Sequence, residues 1–515
     1  MSLAACGGQK PPVSGAESSP GESSSATSQT AFSESSVPTG EESSDVPTAQ
    51  QGTTGSKGET APKTTKTATK TQGNGGDNVW GQRPTGNTSN IPTVTDMKGA
   101  TIVIGTKWIE DFGNCEPGKS ALNDKWIAWR ANFEKKFNCK LKNEYVSPFS
   151  LFASISSKLL SGDKVADIIS MQLYDVEMFR HAGLLQPLQA SKTLNLEHPL
   201  VIQDMINNFT FNGKSYLYMA TDMVPETFGL YVNRDLIKSL KVDDPYELVR
   251  QKKWTWEAFD KICQAAYKDL NNNNKIDASD RFGAAFGDGM AMGSLRVSGI
   301  KTITYDSGKF SYTYNNAKTL KYINAIKDTV NAGNRVLPGE FLEQGLNKFV
   351  KGELVFAQQA SDYKRDPENI LWDADFDMGF LPIPTHEAGM AYSNSCSTWL
   401  AGWSIPKNTD QLDYIGCFLN AVAEMNYSNV ELGRADQKRW FGNDKETYDL
   451  FRTYCNNFTV DLYCWQSQFK DYVQGEFVNM LFDKNVTAAK YLESIDTPMK
   501  NAVKDYYSKD PDLME

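Results

Sequence analysis

The sequence predicts an α/β fold in which helices cover a parallel sheet, preceded by a long disordered segment. From about residue 101, β-branched runs alternate with amphipathic helical patterns, whereas large apolar residues are almost absent from residues 1–95. No run of about 18 apolar residues occurs, so we expect no transmembrane helix in this chain. Strands that alternate with helices are typical of a parallel sheet, and a polar segment cannot bury enough surface to fold.

The alternation is clearest in the first part of the folded region. β-Branched or apolar runs predict strands, and apolar residues at three- and four-residue spacing predict the helices between them. Ligands bind such sheets at the carboxyl ends of the strands, so residues just after each strand are expected to line a cleft. The predicted strands are 101–106, 140–146 and 166–170, and the predicted helices are 123–137, 151–160 and 174–181.

The N-terminal segment is predicted to be a membrane tether. Leu3-Ala4-Ala5-Cys6 is similar to the lipobox of bacterial lipoproteins, in which the cysteine carries the lipid. Residues 7–92 are mostly Ser, Thr, Gly, Pro, Gln and Glu, a composition that stays disordered. We therefore expect a lipid anchor at Cys6, a tether over residues 1–95 and a location on the extracellular face of a Gram-positive cell membrane; a chance match is the alternative.

Composition weighs against several classes of function. The formal net charge of -10 and the pI of about 5.1 argue against a nucleic-acid partner, which needs basic patches. The three histidines are far apart and show no metal-ligand spacing, so neither zinc chemistry nor histidine-based hydrolysis is supported. None of the eight cysteines forms a CxxC pair. Most are interpreted as buried thiols, and a Cys455–Cys464 disulfide stays open.

Seven short motifs follow one another in the folded region. They are Lys158-Leu-Leu-Ser-Gly-Asp163 with Ala166-Asp-Ile-Ile169, Gly183-Leu-Leu-Gln-Pro-Leu188, Thr227-Phe-Gly-Leu-Tyr-Val-Asn-Arg-Asp-Leu236, Trp254-Thr-Trp-Glu-Ala-Phe259, Phe349-Val-Lys-Gly-Glu-Leu-Val-Phe356, Leu381-Pro-Ile-Pro384 and Ser404-Ile-Pro-Lys-Asn408. Because these motifs occur in this order, the chain resembles the extracellular solute-binding proteins of ABC importers, in particular the large family of maltose- and oligosaccharide-binding receptors. Val232, between Tyr and Asn, and the end of the Phe349 motif depart from the family pattern.

The resemblance implies a type II periplasmic-binding-protein-like fold with two α/β lobes that close on a ligand by a hinge motion. Crossings between the lobes are expected near 223–232 and 383–395, with a third near 425. Lobe 1 would then comprise 96–222 plus about 390–425, and lobe 2 would comprise 223–389 plus about 426–515. The resemblance also implies a monomer that catalyses nothing and delivers a sugar or oligosaccharide to ABC transporter permease subunits.

A sugar receptor stacks aromatic rings on apolar sugar faces and directs polar groups at the hydroxyls. Candidates are therefore aromatic and polar residues that the fold would place between the lobes. Tryptophans 126, 129, 254 and 256 lie on helical patterns and are interpreted as core or helix-start packing. The candidate ligand contacts are Trp108, Asp111, Gln172, Tyr174, Asp222, Glu226, Tyr363, Trp399, Trp403 and Trp440.

Residues 269–280 follow the pattern of a 12-residue calcium loop. Oxygen ligands would come from the side chains of Asp269, Asn271, Asn273, Asp277 and Asp280, and from the backbone carbonyl of Lys275. Asn274 replaces the usual glycine at position 6, and Asp280 replaces the bidentate glutamate at position 12. We expect a structural calcium ion of modest affinity and no catalytic cofactor; a solvated polar turn is the alternative.

Three alternatives for the function stay open. The same fold could bind a peptide, a lipid-like molecule or a metal chelate, because a fold does not fix the ligand. A secreted glycosidase would need a pair of carboxylates, and no pair is singled out by the sequence. An adhesive or scaffold lipoprotein is the third. The chain has neither a GxxxxGK[ST] phosphate loop nor a GxSxG elbow.

Overall fold

A computed structural model describes most of the chain after residue 91. The described residues are 92–106, 111–146, 151–220, 227–285, 287–337, 342–365, 368–394, 400–461 and 467–513. Cys6 and the tether expected over residues 1–95 therefore lie almost entirely outside the described residues, so the anchor and the tether stay predictions.

Strands and helices alternate along the described chain. The strands are β1 (Ala100–Thr106), β2 (Cys139–Tyr145), β3 (Ile168–Gln172), β4 (Leu185–Gln186), β5 (Thr210–Phe211), β6 (Lys214–Ser215), β7 (Phe228–Asn233), β8 (Phe282–Ala284), β9 (Ile303–Asp306), β10 (Lys309–Tyr312), β11 (Leu354–Ala360), β12 (Met378–Leu381) and β13 (Ala401–Pro406). The helices are α1 (Ala121–Phe137), α2 (Leu151–Leu160), α3 (Leu173–His181), α4 (Gln203–Asn208), α5 (Arg234–Leu240), α6 (Pro245–Arg250), α7 (Trp256–Ala266), α8 (Asp288–Val297), α9 (Ala317–Asn331), α10 (Leu342–Val350), α11 (Leu412–Ser428), α12 (Val430–Trp440), α13 (Lys445–Arg452), α14 (Ser467–Lys470), α15 (Glu476–Phe482) and α16 (Ala488–Tyr507).

The first sheet has five strands in the order β2-β1-β3-β13-β4. Strands β1, β2 and β3 are parallel, as the sequence predicts, and Thr106 at the end of β1 lies beside Tyr145 at the end of β2. Strand β13 returns from far along the chain and pairs antiparallel with β3 and β4. Helices α1 and α11 cover one face, where Phe133 and Phe418 pack edge to face. This sheet and the elements packed on it are called the first lobe.

The second sheet has four strands in the order β12-β7-β11-β8. Strand β7 is antiparallel to both of its neighbours, whereas β8 and β11 are parallel. Helix α7 packs on β8 and β11 and also contacts α9, which in turn contacts α15 and α16. The N-cap of α7 is Thr255, as expected, and its side chain accepts the N–H of Ala258 at 3.3 Å. This sheet and the helices packed on it are called the second lobe.

The chain passes between the lobes at three places. Ala220 pairs with Val201 in the first lobe, whereas Thr227 bonds to Ser361 in the second, so the first crossing lies between them. Asn394 bonds to Asn457 in the second lobe, whereas the carbonyl of Leu400 accepts from the N–H of Leu173 in the first lobe, so the second crossing lies between them. The third passage is at Asn429, the junction of α11 and α12.

Two further structural findings concern membranes and cysteines. Within the described part of the chain, no helix combines the length and apolar character needed to cross a membrane. Among the described residues, the free cysteines include Cys115, Cys139, Cys263 and Cys417. Cys464 lies outside the described residues, so the Cys455–Cys464 disulfide is not tested.

Candidate functional site

The candidate site begins at the carboxyl edge of the parallel strands in the first lobe. Tyr145 ends β2 and keeps 56% of its surface exposed, whereas Cys139, Leu141 and Asn143 of that strand are buried. The amide of Asn143 donates to the backbone carbonyl of Asp111 at 2.6 Å and accepts from Arg130 at 2.8 Å. These bonds place the predicted ligand contact Asp111, which is half-buried, at the same edge as Tyr145.

The loop that carries Asp111 is held against the first lobe by close packing. The ring of Phe112 lies 5.3 Å from that of Trp126 and 4.8 Å from that of Trp403. Gly113 has φ +76, and a Cβ there would meet the carbonyl oxygen of Trp126 at 2.6 Å. Only glycine satisfies both the positive φ and the close approach, so a larger residue at position 113 would push this part of the chain away from α1.

Gln172 and Tyr174, both predicted ligand contacts, lie together at the end of β3. The hydroxyl of Tyr174 donates to Oε1 of Gln172 at 2.6 Å. Gln172 is buried and pairs across the sheet with Ala401, whereas Tyr174 is half-buried. Burial raises the pKa of Tyr174 above its usual value, so the phenol stays neutral and can donate or accept.

The second lobe begins directly after the first crossing. Thr227 and Ser361 exchange two hydrogen bonds, N–H to Oγ at 3.1 Å and N–H to carbonyl at 2.8 Å. This pair fixes the start of β7 to the end of β11, directly beside the first crossing. The predicted contact Tyr363 follows in a short 3-10 turn, half-buried against the core of the second lobe.

Two exposed aromatic residues were not among the sequence candidates. Tyr145 is one; it lies inside the predicted strand 140–146, so the rule that selected residues just after predicted strands passed over it. The other is Trp372, which is 46% exposed and has the ammonium of Lys364 at 4.1 Å from its ring centroid. It lies in a 3-10 turn at residues 370–373, which no local pattern marks as a surface.

Two further predicted contacts, Trp403 and Trp440, are buried in the structure. Trp403 lies in β13, is 8% exposed and packs between Phe112 and Phe418. Trp440 ends α12 and is 1% exposed in the core of the second lobe. Both indoles are thus largely enclosed by protein in this structure, and their role as ligand contacts stays a prediction. Trp108, Asp222, Glu226 and Trp399 lie outside the described residues, so those four predictions are not tested.

The predicted calcium loop is arranged around Asp269 and Asp280. Oδ2 of Asp269 accepts the N–H of Asn274 at 2.8 Å, and Asn274 has φ 57, the left-handed conformation expected for position 6. Asp280 is buried and accepts from Tyr267 at 3.0 Å and from the backbone N–H of Asp277 at 3.2 Å. Hydrogen bonds from Ser279 and Asn273 lower the pKa of Asp277.

These residues fit a cation in part. Oδ1 of Asp269 is buried and has no hydrogen-bond partner among the described residues. The side-chain amides of Asn271 and Asn273 donate to Oδ2 of Asp277, at 3.4 and 2.7 Å, so their nitrogens occupy the direction that ligand oxygens would need. In the described ranges, no three His, Cys, Asp or Glu side chains converge as a metal site. Binding of calcium would require both amides to rotate.

Two α/β lobes that are linked by three passages have the architecture of type II periplasmic binding proteins, a class of receptor that closes on its ligand by a hinge motion. The sequence profile of the family described as bacterial extracellular solute-binding protein matches residues 120–424. That match spans more than half of the chain, and the protein belongs to this extracellular family. No curated relative matches the sequence.

Solved structures share the fold at low sequence identity. UspC from M. tuberculosis is 14% identical with a TM-score of 0.53, covering 78% of this chain and 100% of that one. A sugar transporter from Rhizobium etli in an open conformation is 15% identical with a TM-score of 0.54, covering 78% and 99%. The maltose-binding protein MalE from Listeria monocytogenes, in complex with maltose, is 16% identical with a TM-score of 0.52, covering 79% and 98%.

Proposed function

We propose that the protein captures a carbohydrate, most simply an oligosaccharide, between its lobes and delivers it unchanged to an ABC transporter. The observation that carries the proposal is the match of residues 120–424 to a family of extracellular solute-binding proteins, on a fold of two linked α/β lobes. At the carboxyl edge of the first-lobe strands, Tyr145 is exposed and Tyr174 is bonded to Gln172. A sugar needs this combination of an aromatic face and hydrogen-bonding groups.

The structural neighbours support the sugar as ligand class. One is a sugar transporter, and another holds maltose. Tyr145 supplies an exposed ring at the first-lobe edge, and Tyr174 supplies a neutral hydroxyl already oriented by Gln172. Because the matching family and the maltose-bound neighbour are binding proteins, we propose a receptor and not an enzyme.

The experiment is a calorimetric titration of the protein with maltose, maltotetraose and a tetrapeptide. We expect heat with a sugar, and recovery of that sugar unchanged by chromatography. Heat with the peptide alone would favour a peptide receptor on the same fold, and smaller products would indicate a glycosidase.

Matched variants test the position of the site. Tyr145→Ala removes the exposed ring and is expected to raise the Kd by about tenfold, because an aromatic contact of about 1–1.5 kcal/mol is lost. Trp372→Ala is the matched control, because Trp372 is an exposed aromatic residue on the other lobe. An unchanged Kd in Tyr145→Ala would place the ligand away from this edge.

We also propose that residues 269–280 bind a structural calcium ion after the amides of Asn271 and Asn273 rotate. The support is the position-1 carboxylate with one buried unpartnered oxygen, the left-handed Asn274 and the sequence pattern. A ligand that binds the folded protein raises its stability, so about 100 Kd of calcium should add about 2.7 kcal/mol. An equal melting temperature in calcium and in chelator would remove this proposal.

The remaining proposals rest on the sequence. We propose that Cys6 is lipidated, that residues 1–95 tether the lobes to the outer face of the membrane and that the folded part acts as a monomer. The test is the membrane fraction of cells that express the full lipoprotein with its leader: Cys6→Ala should release the protein into the medium. Release of the parent protein to the same degree would contradict the anchor.

A further inference from the structure

A buried arginine joins the first lobe to the C-terminus of the chain. Arg180, in α3, is 1% exposed, and its five N–H groups make five hydrogen bonds. Two go to Glu177 of the same helix, both at 2.7 Å. The other three go to Asp510 and Asp512, at 2.6 to 2.9 Å. The guanidinium therefore has no N–H left for water.

The C-terminal carboxylates are held from the first lobe by other groups as well. The hydroxyl of Tyr216 donates to Oδ1 of Asp512 at 2.6 Å, and the side chain of Asn212 donates to the carbonyl of Asp512 at 3.1 Å. Lys214 lies 3.6 Å from the same carboxylate. Asp510 and Asp512 are both buried. A charged tail would not be buried without such partners, because the cost of removing carboxylates from water is high.

Aromatic packing surrounds this charge cluster. The guanidinium of Arg180 lies 4.1 Å from the ring centroid of Phe211, and Phe310 stacks on Tyr507 at 3.5 Å. The backbone N–H of Asn212 donates to the hydroxyl of Tyr305 at 2.9 Å. Thus α3 and the β5–β6 hairpin of the first lobe contact the β9–β10 hairpin and the C-terminal segment of the second lobe.

The C-terminal tail, residues 507–513, is assigned to the second lobe because it continues α16. This helix packs on α9, α15 and β10, and α9 packs on α7 of the second lobe. The tail continues directly from α16 into the first lobe. Within the first lobe, the carbonyl of Tyr216 accepts from Ser404, and Tyr218 pairs with Trp403 before the chain crosses between Ala220 and Thr227. The charge cluster is therefore beside the first crossing.

We propose that residues 507–513 form a clasp, a non-covalent fourth connection between the lobes that stays closed on the crossing side and limits how far the lobes open. A hinge made only of chain crossings can bend at any of its flexible residues. A buried, fully bonded cluster beside one crossing fixes the distance between the lobes there. Lobe movement is then restricted to rotation about the clasp, and the inference rests on the hinge closure of the proposed function.

The test is a distance measurement that needs no ligand. Spin labels are attached through unnatural residues at Lys142 of the first lobe and Lys261 of the second, whose side chains are 63% and 70% exposed. Three proteins are compared with the parent: the chain ended after Tyr507, the isosteric double variant Asp510→Asn/Asp512→Asn, and the control Lys500→Gln, which breaks only an exposed ion pair on α16.

The clasp predicts a narrow distance distribution in the parent protein and in the control. In the shortened chain and in the double variant, the mean distance should move by more than about 2 Å and the distribution should widen. Distributions that coincide in all four folded proteins would overturn the clasp. Addition of the oligosaccharide to the parent tests lobe closure separately, so failure of the proposed function is distinguishable from failure of the clasp.

Hydrogen exchange of the parent protein makes the test independent of whether the variants fold. A clasp that stays closed predicts that the amides of residues 178–183 and 507–513 exchange only with global unfolding. Exchange of the tail at least about 100-fold faster than that of β3 would overturn the proposal, because the clasp would then open in the native state.

Discussion

Two buried tryptophans make a matched test of the second-lobe core. Trp254 and Trp440 are 0% and 1% exposed. The indole N–H of Trp254 donates to the carbonyl of Pro382 at 2.9 Å, whereas that of Trp440 has no partner among the described residues. Substitution of either residue by phenylalanine removes the same volume. The cavity terms should therefore be similar, and the difference between the variants reports on the N–H group.

The expected difference follows from the hydrogen bonds. Trp254→Phe loses a bond with a net value of about 1 kcal/mol, whereas Trp440→Phe removes a buried donor whose desolvation costs about 1–3 kcal/mol. The free energy of unfolding should therefore fall by at least about 2 kcal/mol more in Trp254→Phe. Urea titration followed by circular dichroism measures it from the midpoints at equal slope.

A difference below about 0.5 kcal/mol, or a larger loss in Trp440→Phe, would refute this reasoning. The same pair tests the assignment of Trp440 to the core. Because its ring is enclosed by the second lobe, Trp440→Phe should leave the Kd for an oligosaccharide unchanged. A tenfold loss of affinity without a loss of stability would return Trp440 to the ligand site.

Three further predictions concern single side chains. Burial lowers the pKa of His386 to about 4, so the unfolded chain takes up a proton as the pH falls below about 6.5 while the folded protein does not. The free energy of unfolding should therefore be highest above pH 6.5, decline toward pH 4 and be about 2 kcal/mol lower at pH 5. This loss should disappear in His386→Gln when urea midpoints are compared. Gly283→Ala places a Cβ 2.3 Å from Cα of Cys263 and should cost about 1–3 kcal/mol by the same assay, with an unchanged midpoint contradicting the packing. Thr255→Ala removes the N-cap of α7 and should cost about 1 kcal/mol, whereas Thr255→Ser should cost less.

Local patterns predicted the elements of the first lobe well. Helix α2 has the expected bounds because its apolar residues follow a helical period and Gly162, with φ +95, stops it. Strand β3 begins two residues later than expected. The backbone N–H of Asp167 donates to the carbonyl of Val103 at 2.8 Å, but the N–H of Val103 donates to the side chain of Asp167, also at 2.8 Å. A side chain therefore takes one bond that a regular ladder would make through the backbone.

Long-range contacts account for what the sequence could not predict. A tryptophan in a short strand can face a cleft or the core, and Trp403 faces the core because β13 inserts between β3 and β4 from about 230 residues away. Arg180 could not be matched with Asp510 and Asp512, which lie 330 and 332 residues further along the chain. Trp372 is exposed because of how a 3-10 turn packs, which no period predicts.

The central claim is that the gap between the lobes binds a carbohydrate, and the most direct measurement is calorimetric titration of the protein with maltotetraose. The account predicts saturable heat, about tenfold weaker binding by Tyr145→Ala and recovery of the sugar intact. Absence of heat with every malto-, xylo- and gluco-oligosaccharide, together with saturable heat from a peptide, would contradict it.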